Sequence, residues 1–327
     1  MNYHLTMKQI KIYLFALLAV LSLAACSSSD DGNDNGSGNN TVINTNKNEV
    51  TTDKTDKTDK AVTRLEFPKL KGGNSIVIVH RDDTKSAYYD PDNVNFSTEW
   101  DCNLKSQRWS CYIITKRNRA KNTDRYDNKN NQYPNDPALT PAQRWEKDYF
   151  YGSGFDHGHI CNSNDRLYSA NANYQTFYLT NMQPQYSVFN GRKYGNEYKG
   201  LWVKMENYLN GFKLNDTDTM YVCKGGTIDK EENILMRIQN KLIVPKYFFT
   251  AILVKKMING KPYYKSIGLW FPHLNEYHGD DKLSDYAMSI KDLEAKTGID
   301  FFCNLPDDIE HDIESKKILS DWGNIEK

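Results

Sequence analysis

Phe155-Asp156-His157-Gly158-His159 is followed at an interval by Asn181-Met182-Gln183-Pro184-Gln185, and then by Phe189-Asn190. This stretch decides how the chain is read. On a strand, residues two apart point to the same side, so His157 and His159 share a face. Gly158 between them lets backbone or ligand approach closely. A neutral imidazole near pH 7 is a suitable general base. An asparagine amide oxygen is a ligand for a hard cation, and with no carboxylate cage nearby that cation must complete its shell with water and substrate oxygens. Such a set suits cleavage of a phosphodiester, whose own oxygens carry the negative charge.

Outward from this centre the chain reads as strands with a few helices. Ser75 to His80, Val94 to Cys102 and Arg108 to Thr115 are expected strands. Trp109, Cys111 and Ile113 alternate with Arg108, Ser110 and Tyr112, as in a half-buried antiparallel strand. Residues 117–148 are polar and turn-rich, too long for a plain connection. Thr140-Pro141 predicts the start of a short helix. Gly154 to Cys161 and Thr176 to Met182 read as strands bearing the site. Gly200 to Leu209 has helical spacing. Met220 to Cys223, Phe248 to Lys255 and Ser266 to Phe271 are later strands, with a tight turn at Gly225-Gly226. Ser289 to Thr297 reads as a helix capped by Ser289 with Asp292 and ended by Gly298. The expected class is α+β, with a central antiparallel or mixed sheet.

A competing chemistry is zinc. His157, His159 and Cys161 fall on one strand face and supply three of the ligand types zinc takes. No fourth ligand follows at a recognised spacing. His80, His273, His278 and His311 stand apart from any ligand pattern and read as surface or capping residues. The 22 tyrosines are assigned to packing and surface.

Asp156-His157-Gly158-His159, with Asn181-x-x-Pro184-Gln185 and Asn190, resembles the DNA/RNA non-specific endonucleases of the ββα-metal class, whose usual motif is Asp-Arg-Gly-His. The resemblance runs over most of residues 65–320. It implies His159 as the general base, Asn190 as the direct ligand of a divalent ion, normally Mg²⁺ with Mn²⁺ as substitute, and Asp156 as an orienting acid. It implies Glu206, preceded by Trp202, as the group that positions metal-bound water. It also implies an upstream arginine at the substrate, for which Arg119 and Arg125 both qualify. Two departures stand out. His157 replaces the arginine expected near phosphate, and histidine lacks the guanidinium's fixed fork and permanent charge. The interval Gly191 to Gly200, with three glycines, lengthens the step from Asn190 to Trp202 and is not one unbroken helix; it makes Glu197 a substitute for Glu206. The implied function is a metal-dependent endonuclease of low sequence specificity acting on DNA, RNA or both. The alternative is a surface lipoprotein that binds nucleic acid or another polymer with degraded catalysis. Retention of both His159 and Asn190 favours the enzyme.

At the N-terminus, Lys8 and Lys11 precede an apolar run from Ile12 to Leu23, too short to span a bilayer. Leu23-Ala24-Ala25-Cys26 looks like a lipobox, which makes residues 1–25 a signal peptide and Cys26 the lipidated residue. Residues 26–62 are rich in Asn, Ser, Thr and Asp and read as a solvated tether. Residues 63–327 then form the catalytic domain, and the expected location is the outer membrane, facing periplasm or exterior. Lys plus Arg and Asp plus Glu each total 42, so no bulk basic field draws nucleic acid. Positive charge is local, in Lys116 to Lys121. Besides Cys26 the chain has Cys102, Cys111, Cys161, Cys223 and Cys303, an odd set that leaves pairing open.

Overall fold

Seven strands build the centre of the fold: β1 (Ser75–Arg81), β2 (Val94–Asp101), β3 (Ser106–Ile114), β8 (Thr219–Gly226), β11 (Tyr247–Ile258), β12 (Lys261–Pro272) and β13 (Ala287–Met288), in that order across the sheet. Each neighbouring pair is antiparallel, so the sheet is antiparallel and not mixed. The computed structural model describes residues 43–51, 58–84 and 88–326. The expected signal peptide and lipobox, with Cys26, lie outside the described residues. Among the described residues no helix is long and apolar enough to cross a membrane.

Strand side chains alternate between two cores. On β11, Phe248, Ile252 and Val254 point to one face, and Phe249, Ala251 and Leu253 to the other. The first face is covered by α3 (Leu201–Gly211), through Leu201, Trp202, Met205 and Leu209. The second is covered by α4 (Ile290–Thr297), the segment Ile299 to Leu305, and Ile313 of α5 (Asp307–Glu314). β3 is buried along its whole length rather than half-buried, because both cores need it. α4 forms as its caps dictate: Ser289 accepts from the Asp292 N–H, and Gly298 ends it with φ +74°.

Four local readings differ. Thr176 to Met182 is not a strand: it leaves α1 (Ala170–Gln175), makes a 3₁₀ turn at Leu179–Asn181, and only then enters β5 (Met182–Gln185). The Asn181 side chain ties the turn together, donating to Thr176 O while it also bonds the Cys161 backbone. Thr140 bonds to Gln143, yet the residues between make turns and no helix. Gly225 and Gly226 do not turn; they finish β8, with Gly226 close against Pro245 and Gln183. The fold also starts before residue 63. Val62 is fully buried, Asn48 donates to Val62 O and Pro68 O, and Asn44 donates to Cys303 O. Part of the expected tether therefore packs on the domain.

All five described cysteines are free thiols. Cys111, Cys161, Cys223 and Cys303 are fully buried as small apolar side chains.

Candidate active site

β4 (Asp156–His159) pairs antiparallel with β5, placing His157 opposite Pro184 and His159 opposite Met182. β5 runs on into α2 (Ser187–Asn190), completing a ββα unit. The motif residues themselves hold this unit together. Asn181 Oδ1 accepts from Cys161 N at 2.8 Å, and its Nδ2 donates to Cys161 O at 2.9 Å and Thr176 O at 2.8 Å. Gln183 Oε1 accepts from Gly226 N at 2.6 Å, fastening β5 to the end of β8. Gly158 is required by Gln185: a Cβ there would stand 2.3 Å from the Gln185 side chain.

The unit opens on a cleft of about 1060 Å³. His159, Asp156, His157, Asn190, Arg125, Glu206 and Glu197 all line it. Arg119 does not. Its guanidinium donates to Leu209 O and Phe212 O, closing the C-terminal end of α3. The structure thus separates the two arginines the sequence left open.

His159 is held by its backbone, whose carbonyl accepts from Trp202 Nε1 at 3.1 Å. Its ring bonds to the His157 backbone, while Nε2 has no partner. Nε2 is thus the ring nitrogen left unengaged. Desolvation, then the charges of Arg125, His157 and Lys224, hold its pKa well below the usual 6.5. The imidazole is a neutral base at neutral pH.

Asn190 is oriented by Asp156. Asp156 Oδ2 accepts from Asn190 Nδ2 at 3.2 Å, and Oδ1 accepts from Ser187 Oγ at 2.7 Å. With its nitrogen taken, Asn190 turns its oxygen free, and that oxygen accepts from no described residue. One neutral oxygen beside a wide, wet cleft fits a hard cation that keeps most of its waters. His273 supports the same helix: its Nε2 accepts from Tyr186 N at 2.8 Å and its Nδ1 donates to Pro245 O at 2.8 Å. Burial pulls His273 down to about 4. It is a neutral structural bridge, and His80, paired with Asp136 at 2.8 Å, is likewise interior; neither is a surface residue.

His157 is placed differently from expectation. Its ring lies between Tyr133, at 3.6 Å between centroids and 6° between planes, and Phe150, at 4.3 Å and 15°. Nε2 bonds Asp148 Oδ2 at 2.8 Å. It is a stacked and tethered plane, not a free phosphate donor. The cation of the cleft is Arg125, which bonds the Ser163 hydroxyl and lies 4.7 Å from the Phe177 ring. It has no carboxylate partner among the described residues, and desolvation by the surrounding protein lowers its pKa. The zinc pattern does not assemble. Cys161 turns into the apolar core, burial pushes its thiol up to about 12, and no group of three or more His, Cys, Asp or Glu converges among the described residues.

Glu206 faces the cleft from α3 with 9% exposure. Burial raises its pKa to about 7, against the pull of Lys224, whose Nζ is 3.2 Å away. Lys224 was not foreseen. It is fully buried on β8, 4.9 Å from the Trp202 ring and 5.6 Å from Tyr112. A lysine between Cys223 and Gly225 in an otherwise apolar strand was the available signal. Tyr133 and Tyr151 also line the cleft and Asp148 backs His157, all from segments with no pattern of their own. Glu197 reaches it from a hairpin, β6 (Arg192–Tyr194) and β7 (Glu197–Lys199), that occupies the lengthened interval between α2 and α3. The helix is indeed broken there.

Residues 80–308 match the family described as DNA/RNA non-specific endonuclease. The mitochondrial nuclease EXOG of Xenopus laevis is 25% identical over 224 residues, 66% of this chain and 58% of that protein. A nuclease of Nostoc sp. (strain PCC 7120) is 29% identical over 174 residues, 51% of this chain and 57% of its own. The chain thus spans little more than half of each of these two relatives. The crystal structure of the EndoG/EndoGI complex superposes with TM-score 0.50 at 18% identity, covering 70% of this chain and 87% of that one, a likeness of fold. The match over residues 80–308 makes this chain a member of the DNA/RNA non-specific endonuclease family.

Proposed function

We propose that this chain is a metal-dependent endonuclease that hydrolyses phosphodiester bonds of DNA, RNA or both with low sequence specificity, and that its cation is Mg²⁺, with Mn²⁺ as substitute. The observation that carries this reading is the meeting, in one cleft, of an unpartnered His159 Nε2, an Asn190 oxygen freed by Asp156, and an Arg125 with no carboxylate partner. His159 Nε2 takes the proton from the attacking water. Arg125 meets phosphate oxygens as charge builds on them. Glu206 orders water on the α3 side of the cleft. Asn190 would hold the cation, which supplies positive charge at the scissile phosphate and its leaving oxygen. Leu23-Ala24-Ala25-Cys26 supports export and a lipid anchor at Cys26, which places the cleft outside the inner membrane.

The test uses the full-length protein with plasmid DNA and with RNA, in Mg²⁺ or in chelator. Cleavage in Mg²⁺ that stops with chelator, while the fold persists, is expected. Binding without cleavage under every cation would instead favour a nucleic-acid-binding lipoprotein. In cells, Cys26→Ser should remove the protein from the membrane fraction; unchanged fractionation would end the lipid-anchor reading.

A further inference from the structure

We propose that the β6–β7 hairpin biases the cleft toward unpaired nucleic-acid strands, with Tyr198 as the platform on which a base stacks. This rests on the nuclease reading above. The hairpin is an excursion and not a connector. A Cβ on Gly200 would stand 2.7 Å from Phe189 O and 3.0 Å from Gly191 N, so the two feet touch and α2 and α3 abut beneath them.

The register pairs Arg192 with Lys199, Lys193 with Tyr198 and Tyr194 with Glu197. Cross-strand partners share a face. Tyr194 packs edge-on against Tyr277, with centroids 5.3 Å apart, and fixes that face to the body. Lys193 and Tyr198 therefore share the other face, and Tyr198 lines the cleft. Tyr198 is 63% exposed and Tyr151, on a separate segment lining the same cleft, is 66% exposed. These are the two most exposed aromatic side chains among the described residues. Two open rings at one cleft, one of them on a two-stranded element that is marginal by itself, call for a flat apolar partner.

An unpaired base offers such a face, and a base inside a duplex does not, because its neighbours already cover it. Lys193 is exposed on the same face as the ring and Arg192 on the hairpin's other face, so positive charge that can follow a phosphate backbone flanks the platform. Stacking on tyrosine is tolerant of base identity, which agrees with low sequence specificity.

The experiment compares kcat/KM on a single-stranded oligonucleotide and on its duplex for the full-length wild type, Tyr198→Ala and Tyr198→Phe. The ratio of single-strand to duplex kcat/KM should fall about tenfold in Tyr198→Ala, mainly through KM, the size of one lost base–aromatic stack. Tyr198→Phe should keep the wild-type ratio. An unchanged ratio in Tyr198→Ala, or a fall confined to duplex, overturns the proposal. If the wild type cleaves neither substrate, the nuclease reading fails on its own. Binding of a fluorescent single strand in chelator then decides the hairpin: about tenfold weaker binding by Tyr198→Ala supports it, and equal binding overturns it.

Discussion

Arg64 and Arg125 show how the two sides of the sheet differ. Arg64, behind the sheet with Phe67 and Val62, bonds Glu66, Asp90 and Asp92. Burial works against its charge, yet Glu66 and Asp90 raise its pKa above the ordinary arginine value. Arg125, at the cleft, has a hydroxyl and an aromatic ring for company, and its pKa is lowered. On the α4–α5 side the Arg64 guanidinium is matched by carboxylates within the protein, although single atoms such as Glu66 Oε2 and Glu314 Oε1 lie buried without a partner. At the cleft His159 Nε2, the Asn190 oxygen and Arg125 are left for something else. Unmatched polar groups cost stability; what marks the cleft is that a base, an amide oxygen and a cation are left open together around one space.

The comparison breaks if the two sides do not separate stability from activity. The largest effect is expected from His159→Ala, which should lower cleavage by about two to four orders of magnitude with folding largely kept. A folded variant that cleaves at near wild-type rate would remove His159 as the base. Next comes Leu293→Ala on the opposite face. Leu293 is fully buried against Gly268, and its truncation should cost about 2–5 kcal/mol of unfolding free energy while kcat stays within about twofold. A large loss of kcat in the still-folded protein would mean that the faces are coupled.

The smallest effect concerns pH. The Lys224 charge lowers the pKa of both His159 and Glu206. Lys224→Met should let both rise, His159 from its depressed value and Glu206 above about 7. His159 would then be protonated at higher pH, so the acid limb of kcat/KM should move alkaline by about half to one pH unit. An acid limb that stays in place would show that Lys224 does not act on the base. Stability carries the same sign. The folded His159 pKa lies below 6.5, so its share of stability is full above that value and is lost as pH falls through the depressed folded pKa.

What the sequence made legible was whatever depends on near neighbours. Ser289, Asp292 and Gly298 specify α4 locally, and the Asp156–His159 and Asn181–Asn190 segments carry the ββα unit in their own spacing. The Asn259-Gly260 pair, with φ +50° and +78°, forms the two-residue turn of the β11–β12 hairpin and was an unused signal for strands of twelve residues each. What stayed hidden depends on distant partners. Arg125 and Arg119 differ only in what the fold brings to each. His157 reads as a phosphate donor until Tyr133, Phe150 and Asp148 close on it from the long loop. Lys224 acquires its role from Glu206, eighteen positions earlier on another element.

The chain ahead of the sheet has a mechanical consequence. Asn44 donates to Cys303 O and Leu305 O, Thr45 binds the Asp307 carboxylate, and Asn48 is clasped by Val62, Pro68 and Asn304. Residues 303–307 link the Phe301–Leu305 segment to α5, on the side of the sheet that α4 and α5 cover. With the chain anchored at Cys26 as proposed, a pull from upstream of residue 43 would meet this row of side-chain bonds before it reached any strand. The row would act as a strain relief, taking up such a pull on the α4–α5 side of the sheet, away from the ββα unit.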